Sequence, residues 1–228
     1  ELNKGDTKII TAEDPVEYTL GGVNQCEVNE KIGFNFPTIL RTMLRQDPNI
    51  ILVGEIRDAD TADTAIAAAL TGHLVLSTLH TNDAPSAITR LIDMGIKPFL
   101  IASSLQGIMA QRLIRTNCTN CKEPIKYTPE QLLEMGFEID ALKGFTFYKG
   151  KGCKNCNNIG YHGRIGIYEF LVMNETLRDM TYRMAATEEI RKAAKTSGMT
   201  SLKVDGLMKV KDGNTTLEEV FRTTGIEE

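Results

Sequence analysis

The stretch "NIILVGEIRD", residues 49–58, is an apolar run that ends abruptly in charge. Ile50, Ile51, Leu52 and Val53 have the character of a parallel strand buried on both faces, which shows as a continuous hydrophobic run without alternation. Gly54, Glu55, Ile56, Arg57 and Asp58 then place two carboxylates and a guanidinium at the strand's carboxyl end. Open α/β sheets build their ligand crevice at such ends. Nucleotide-hydrolysing sheets hold there the acid that works on water and magnesium.

On either side of this strand, strand and helix signals alternate. "TKIITA" (7–12) is a short apolar run stopped by Asp14-Pro15. "FNFPTILRTMLRQDP" predicts a helix capped near Asn35, with Ile39, Leu40, Met43 and Leu44 on one face and a stop before Pro48. After the opening strand, "DADTADTAIAAALTG" predicts a helix with an acidic first turn and Gly72 past its end. "HLVLSTLH" has the look of a buried strand, and "NDAPSAITRLIDMG" of a helix capped by Asn82 or Asp83 and closed by Gly95. "PFLIASSLQGIMAQRLI" is expected to be one long, largely apolar helix. The alternation predicts an α/β fold around a parallel sheet over residues 1–115. Residue 1 is Glu, and "ELNKG" resembles a helix's last turn with Gly5 as its C-cap, so the chain is expected to be a piece of something longer.

The texture changes near residue 116. "TNCTNCKEPIKYTPEQLLEMG" and "FYKGKGCKNCNNIGYHGR" are polar and cysteine-bearing with one helix between them, which sets off residues 116–160 as a module of their own. Residues 161–228 start with a strand, "RIGIYEFLVM", and continue as three helices, signalled by Asn174-Glu175, by "TEEIRKAAKTSG" with a capping-box start at Thr187, and by Ser201 onward; "TTLEEVFRTTG" closes the chain.

Composition narrows the field. The 228 residues are 42% hydrophobic and 25% charged, ordinary for a globular protein. A net charge of −4 supplies no global basic field to recruit nucleic acid or anionic lipid. No apolar stretch approaches the roughly 18 residues needed to span a bilayer, and no signal peptide is visible, so a cytoplasmic protein is expected.

Cys118-Thr-Asn-Cys121 and Cys153-Lys-Asn-Cys156 are two Cys-x-x-Cys knuckles separated by 31 residues. Two such knuckles complete a tetrahedral four-sulfur site, and four thiolates leave no open position for water, so structural zinc is the expectation. Disulfides are disfavoured in a cytoplasmic setting, and neither knuckle opens a helix after a strand as a redox pair would. Cys26 stands alone as a half-buried strand residue.

Four polar constellations fall in the first 115 residues. "ITAEDPVEY" sets Glu13, Asp14 and Glu17 at a strand end, and a charged loop is its bland reading. Glu55 with Arg57 is the second, and a simple ion pair is the competing account. The third is "TGHLVLSTLHTNDA", where His73 and His80 bracket a strand beside Ser77, Thr78 and Thr81, as a sensor near a phosphate would. The fourth is Arg41 and Arg45, spaced i, i+4 on one helix face, either a solvated stripe or charge compensation for phosphates, with a subunit boundary as one possible setting. What raises the functional reading is that all four lie near strand ends of one sheet.

Together these blocks resemble the C-terminal part of a secretion ATPase of the type II secretion and type IV pilus assembly superfamily. "TAEDPVEY" matches that family's Asp box, "NIILVGEIRD" its atypical Walker B motif, "TGHLVLSTLHTNDA" its His box, and the paired knuckles its tetracysteine metal module; "RTMLRQDP" and "MAQRLIR" are also similar to family segments. The resemblance covers essentially the whole chain. It implies part of a RecA-like P-loop ATPase core, a zinc-binding module and a C-terminal helical subdomain. It further implies a ring hexamer at the cytoplasmic face of the inner membrane, ATP and Mg2+ as ligands of the complete protein, and an inner-membrane platform protein as partner, with no nucleic acid. By the same transfer Glu55 is the catalytic glutamate that polarises water, Glu13 the Asp-box acid near metal and water, and His80, less firmly His73, the His-box residues near the γ-phosphate. Arg41, Arg45 and Arg57 are implied as phosphate or interface arginines. Gly54 stands where a standard Walker B motif has Asp, so magnesium coordination at that position is not expected.

One departure is large. The family's Walker A loop, Gly-x-x-x-x-Gly-Lys-[Ser/Thr], does not occur in these residues, whose only Gly-Lys, Gly150-Lys151, lies beside the second knuckle. That loop supplies the phosphate-cradling N–H groups, the lysine and the magnesium-binding hydroxyl. The chain by itself is therefore expected to lack ATP hydrolysis. The alternative function is a non-catalytic, zinc-stabilised interaction module. Within the ATPases, a pilus retraction or DNA-uptake motor is the other option, and the family's retraction branch lacks the four cysteines.

Overall fold

Four parallel strands place the acidic strand end between two neighbours. The computed structural model describes residues 1–135, 139–142 and 144–225. Strands β1 (Ile9–Glu13), β2 (Val23–Glu27), β3 (Ile50–Val53) and β4 (Leu74–Ser77) form a sheet in the order β2-β1-β3-β4, all pairs parallel. β3 is paired on both sides, which matches its unbroken apolar run. The register sets Ile10 beside Ile51 and Ala12 beside Val53, and all four side chains are buried on one face.

Helices α1 (Phe36–Met43) and α2 (Ala59–Leu70) cover that face through Phe36, Ile39, Leu40, Met43, Ala65 and Ala68. Removing most of one such fully buried Ile or Leu side chain costs roughly 2–5 kcal/mol. The caps fall where short polar side chains satisfy free N–H groups: Asn35 accepts from Thr38 N at 3.0 Å and Asp58 from Thr61 N at 2.8 Å. Asp83, not Asn82, caps α3 (Ala84–Asp93). α2 also packs against α3 and α4 (Pro98–Ser104) through Ala62, Ile66, Leu91 and Ile101. α6 (Glu175–Tyr182) lies on α4, where the Arg178 guanidinium donates to the Ala102 carbonyl. These elements, with the first part of α7 (Thr187–Thr196), make one compact unit, Glu1–Gly107 and Val172–Ala194.

The second unit comprises Ile108–Leu171 and Lys195–Glu228. Its strands are β5 (Gly107–Asn117) with β8 (Tyr161–Val172), and the antiparallel pair β6 (Lys122–Ile125) with β7 (Phe147–Gly150). Its helices are α5 (Pro129–Glu134), α8 (Leu202–Lys211) and α9 (Leu217–Thr224). The cysteine-bearing stretch thus shares a compact unit with α8 and α9.

Several expectations need correction. The long helix expected over 98–114 ends at Ser104, because Leu105 is extended (φ −68°, ψ 128°) and β5 follows. In β5 the buried residues Ala110 and Ile114 are spaced by four, a spacing that fits a strand as well as a helix, so apolar content alone does not separate the two. β4 is an edge strand and not a buried one: Leu74 and Leu76, on the face opposite α1 and α2, are 42% and 38% exposed. Residues 1–4 form no helix, and Gly5 lacks the positive φ of a C-cap; four residues are too few to sustain a helical turn alone. Arg45 lies past the C-cap Leu44, so it shares no helical face with Arg41. Thr187 is the first residue of α7 and not its cap; its hydroxyl meets Thr89 instead. Among the described residues, the C-terminal segment holds four helices, with α9 following α8.

The second unit contains a buried charge network. Glu219 on α9 is fully buried. It accepts from the Arg115 backbone N at 3.0 Å, from the Arg115 guanidinium at 3.0 and 2.6 Å, and from Arg222 at 3.0 and 2.7 Å. Burial works against its ionisation, but the donors from Arg222 and Arg115 prevail and hold the carboxyl at about 2. The folded value lies below the ordinary 4.5, so the stabilisation is present above pH 4.5 and is lost as pH falls toward 2. Glu219→Gln is expected to cost about 2–4 kcal/mol at pH 7, read by thermal unfolding. The gap from wild type should shrink between pH 4.5 and 2, and a pH-independent gap would contradict the network.

Candidate functional site

The carboxyl end of β3 is stitched to both neighbouring strands. Gly54 N donates to Ala12 O at 2.7 Å on the β1 side, Ile56 N donates to Thr78 O at 3.0 Å, and the Thr78 hydroxyl donates to Gly54 O at 2.7 Å on the β4 side. A Cβ on Gly54 would sit 3.1 Å from Ala12 O and 3.5 Å from Glu13 Cα. The missing side chain lets β3 turn into its charged loop close against Glu13.

Glu55 follows at once, and both its oxygens are occupied. Oε1 meets the Arg57 guanidinium at 2.6 Å and Oε2 meets His80 Nε2 at 3.0 Å. The Arg57 guanidinium holds the Glu55 carboxyl below the usual carboxylate range, partial burial opposes this, and His80 adds to it. The Glu55 side chain is 13% exposed while His80 is 84% exposed, so the imidazole is an open arm on a half-covered acid. Such a carboxylate stays ionised at neutral pH, as a proton acceptor must.

Glu13 ends β1 beside this turn. Its Oε1 accepts from the Thr11 hydroxyl and from Gln25 Nε2 at 2.8 Å. Thr11 and Gln25 are direct register partners across β1 and β2, and the sequence reading missed both. Alternation along β1, with Thr11 and Glu13 two apart, was the available signal, but it needed the second strand to be delimited. The strand ends thus bring together Glu13, Glu55, Arg57 and His80.

The other candidate residues lie elsewhere. His73 precedes β4 at the strand's opposite end, its Nδ1 at 3.0 Å from Ala68 O and 3.1 Å from the Thr71 hydroxyl, where it helps close α2. Arg41 pairs with Asp60 in the first turn of α2. Arg45 is exposed in the turn after α1.

The second unit carries the four cysteines. Their Sγ atoms all lie within 4.8 Å of one another, with Cys118–Cys153 and Cys121–Cys156 at 3.8 Å and Cys153–Cys156 at 3.7 Å. A metal–sulfur bond of about 2.3 Å in a tetrahedron requires sulfur–sulfur edges of about 3.8 Å. The set fits a tetrahedral four-sulfur centre, and no pair is a disulfide.

Each knuckle is a tight turn, closed by Cys121 N to Cys118 O and by Cys156 N to Cys153 O, both 3.2 Å. Cys156 Sγ accepts from the N–H groups of Cys153 and Gly160, each at 3.3 Å. Burial disfavours its thiolate, but these donors prevail. β6 and β7 bring the knuckles together, and Gly150 and Gly160 cross so closely that a Cβ on Gly150 would lie 2.0 Å from Gly160 O.

Known proteins share this organisation. Residues 1–222 match the family described as "Type II/IV secretion system protein". The chain is 50% identical over 224 residues to the type IV pilus assembly ATPase PilB of Myxococcus xanthus, covering 98% of this chain and 40% of that protein. It is 46% identical over 224 residues to the type II secretion system ATPase E of Vibrio cholerae, covering 98% and 44%. The chain therefore spans about two fifths of the length of these relatives. Among solved structures, the pilus retraction motor PilT with bound ADP superposes with a TM-score of 0.68 at 29% identity, over 96% of this chain and 53% of that one. The ATPase DotB of Legionella pneumophila shares the fold at 22% identity, with a TM-score of 0.64 over 96% of this chain and 52% of that one. The chain belongs to the type II/IV secretion system protein family.

Proposed function

We propose that this chain is the part of a secretion motor ATPase, driving type IV pilus assembly or type II protein secretion, that carries the water-activating acid. The observation that supports this most directly is the position of Glu55: a pre-ordered, ionised carboxylate at the carboxyl end of a doubly paired parallel strand, with His80 on one oxygen and Glu13 on the adjoining strand end. In this reading Glu55 accepts the proton of the water that attacks the γ-phosphate, and His80 reports on that phosphate. Glu13 orders the water and the magnesium shell. Arg57, already on Glu55, offers the nearest cation for phosphate charge. Arg41 and Arg45, away from these strand ends, are proposed for contacts with neighbouring subunits in a ring hexamer. His73 is kept as a His-box residue that acts only through the placement of β4.

The complete protein would bind ATP and Mg2+ through a Walker A loop and work at the cytoplasmic face of the inner membrane on a platform protein. The names of the pilus assembly and type II secretion relatives support the assignment to an ATPase of such machinery. Among the described residues no helix is long and apolar enough to cross a membrane. Cys118, Cys121, Cys153 and Cys156 are proposed to hold a structural zinc, which supplies a cross-link between knuckles and no chemistry.

In the full-length protein, Glu55→Gln is expected to lower ATP turnover at least a hundredfold while nucleotide affinity stays within about twofold, since the amide keeps the shape but cannot take a proton. Steady-state hydrolysis and calorimetric binding read the two, and unchanged turnover would remove Glu55 from its role. The 228-residue chain alone is expected to bind ATP only weakly; a micromolar dissociation constant would contradict the assignment of the phosphate cradle to other residues. Protein purified without added metal should contain about one equivalent of zinc by mass spectrometry, and chelation should lower its melting temperature. Well under one equivalent, with melting indifferent to chelator, would refute the metal site.

A further inference from the structure

His80 is placed by one 3.0 Å contact to Glu55 and is otherwise open to solvent. Its position therefore depends on the loop that carries it. At the near end that loop is tied to β3 through Thr78, as described above. At the far end lies Asp83, whose carboxylate has two tasks. Oδ1 caps α3 by accepting from Ser86 N at 2.8 Å, and Oδ2 meets the Arg191 guanidinium of α7 at 2.9 Å. The Thr81 hydroxyl donates to Asp83 O at 3.1 Å, which folds the loop onto this anchor. A second contact, Thr89 Oγ1 to Thr187 Oγ1 at 2.7 Å, fastens α3 to the start of α7.

Packing does part of this work, since Leu79 lies against the core of Ala62, Ile66, Leu91 and Ile101, but it stops short of His80. Between His80 and Thr187 lies a recess of 320 Å³ walled by Ser86, Thr89 and Arg90, so the loop has polar space beside it where a core would otherwise fix it. Asp83 and Arg191 are each about four-fifths buried. A charge pair that is largely withdrawn from water resists opening more than a surface pair does.

The geometry points to Arg191 as a positioning residue: through Asp83 it holds the His80 loop in the arrangement that sets the imidazole on Glu55. Arg191 touches none of the reacting groups. It acts from α7, the helix in which the chain passes from the first unit to the second. The inference rests on the proposed role of Glu55 and His80 and adds to it a control point on a distant helix.

Variants of the full-length protein test it. Arg191→Gln should lower kcat for ATP about tenfold with KM within about twofold. Asp83→Asn keeps a good N-cap, because Asn caps as well as Asp, and loses only the charge partner; it should show the same kcat loss. The double variant should lose no more than either single one, the mark of a shared interaction. Glu188→Gln removes the exposed second partner of Arg191 and should leave kcat unchanged. Should Arg191→Gln not fold, Arg191→Lys, which keeps the charge without the planar fork, should give an intermediate kcat. Wild-type kcat in Arg191→Gln or Asp83→Asn, additive losses, or a loss confined to KM would overturn the inference. Glu55→Gln in the same preparations separates the two levels: if it abolishes turnover while the Arg191 and Asp83 variants run normally, only this inference fails. If Glu55→Gln turns over normally, the catalytic reading fails and this inference with it.

Discussion

The structure depends on the burial of β3. A parallel strand paired on both sides exposes no edge, so its backbone polar groups are satisfied within the sheet and its side chains must be apolar. Ile51 and Val53 meet that demand against α1 and α2. Because the strand cannot slip without carrying those side chains off their face, the residue after Gly54 is fixed in space. A carboxylate there inherits the rigidity of the core, although it belongs to a loop. The flanking contacts, from Gly54 to β1 and from Thr78 to β3, extend that rigidity one residue beyond the sheet.

The second unit follows a different logic. Its sheets have two strands each, too few to bury much by themselves. Beside the buried Ile114, Ile167, Leu217 and Val220, its order comes from cross-links: four sulfurs at tetrahedral spacing and a carboxylate between two guanidiniums. Both are polar centres that must be complete to be favourable, since a half-paired charge or a lone thiolate in such surroundings is costly. A small unit built this way can change its surface freely while its few cross-links stay fixed.

How much of this could be read beforehand depended on the range of the interaction. The bounds of β3, the cap at Asn35 and the helix start at Asn174 were legible because each is encoded within a few residues. The cysteine cluster was legible because two knuckles are self-declaring at any separation. β5 reads as helix because a long, largely apolar stretch does not itself separate helix from strand. β4 reads as a buried strand because an apolar run does not say whether a strand lies in the middle of a sheet or at its edge. At the site, Glu55 and His80 were visible as strand-end residues. The holding of Glu13 by Gln25, and of Asp83 by Arg191, was not, since those partners meet only after the chain has folded. His73 and His80 bracket one apolar run, and they sit beyond opposite ends of one short strand.

The double occupation of Glu55 bears on timing. A carboxylate with a guanidinium on one oxygen and an imidazole on the other has no idle oxygen, although both partners are exposed and each contact is individually modest. Stabilising the starting state raises the climb to any transition state in which that same oxygen must bind a proton. Oε1 can take up a proton only as the Arg57 guanidinium withdraws from it, and that side chain, 62% exposed, has open solvent to move into.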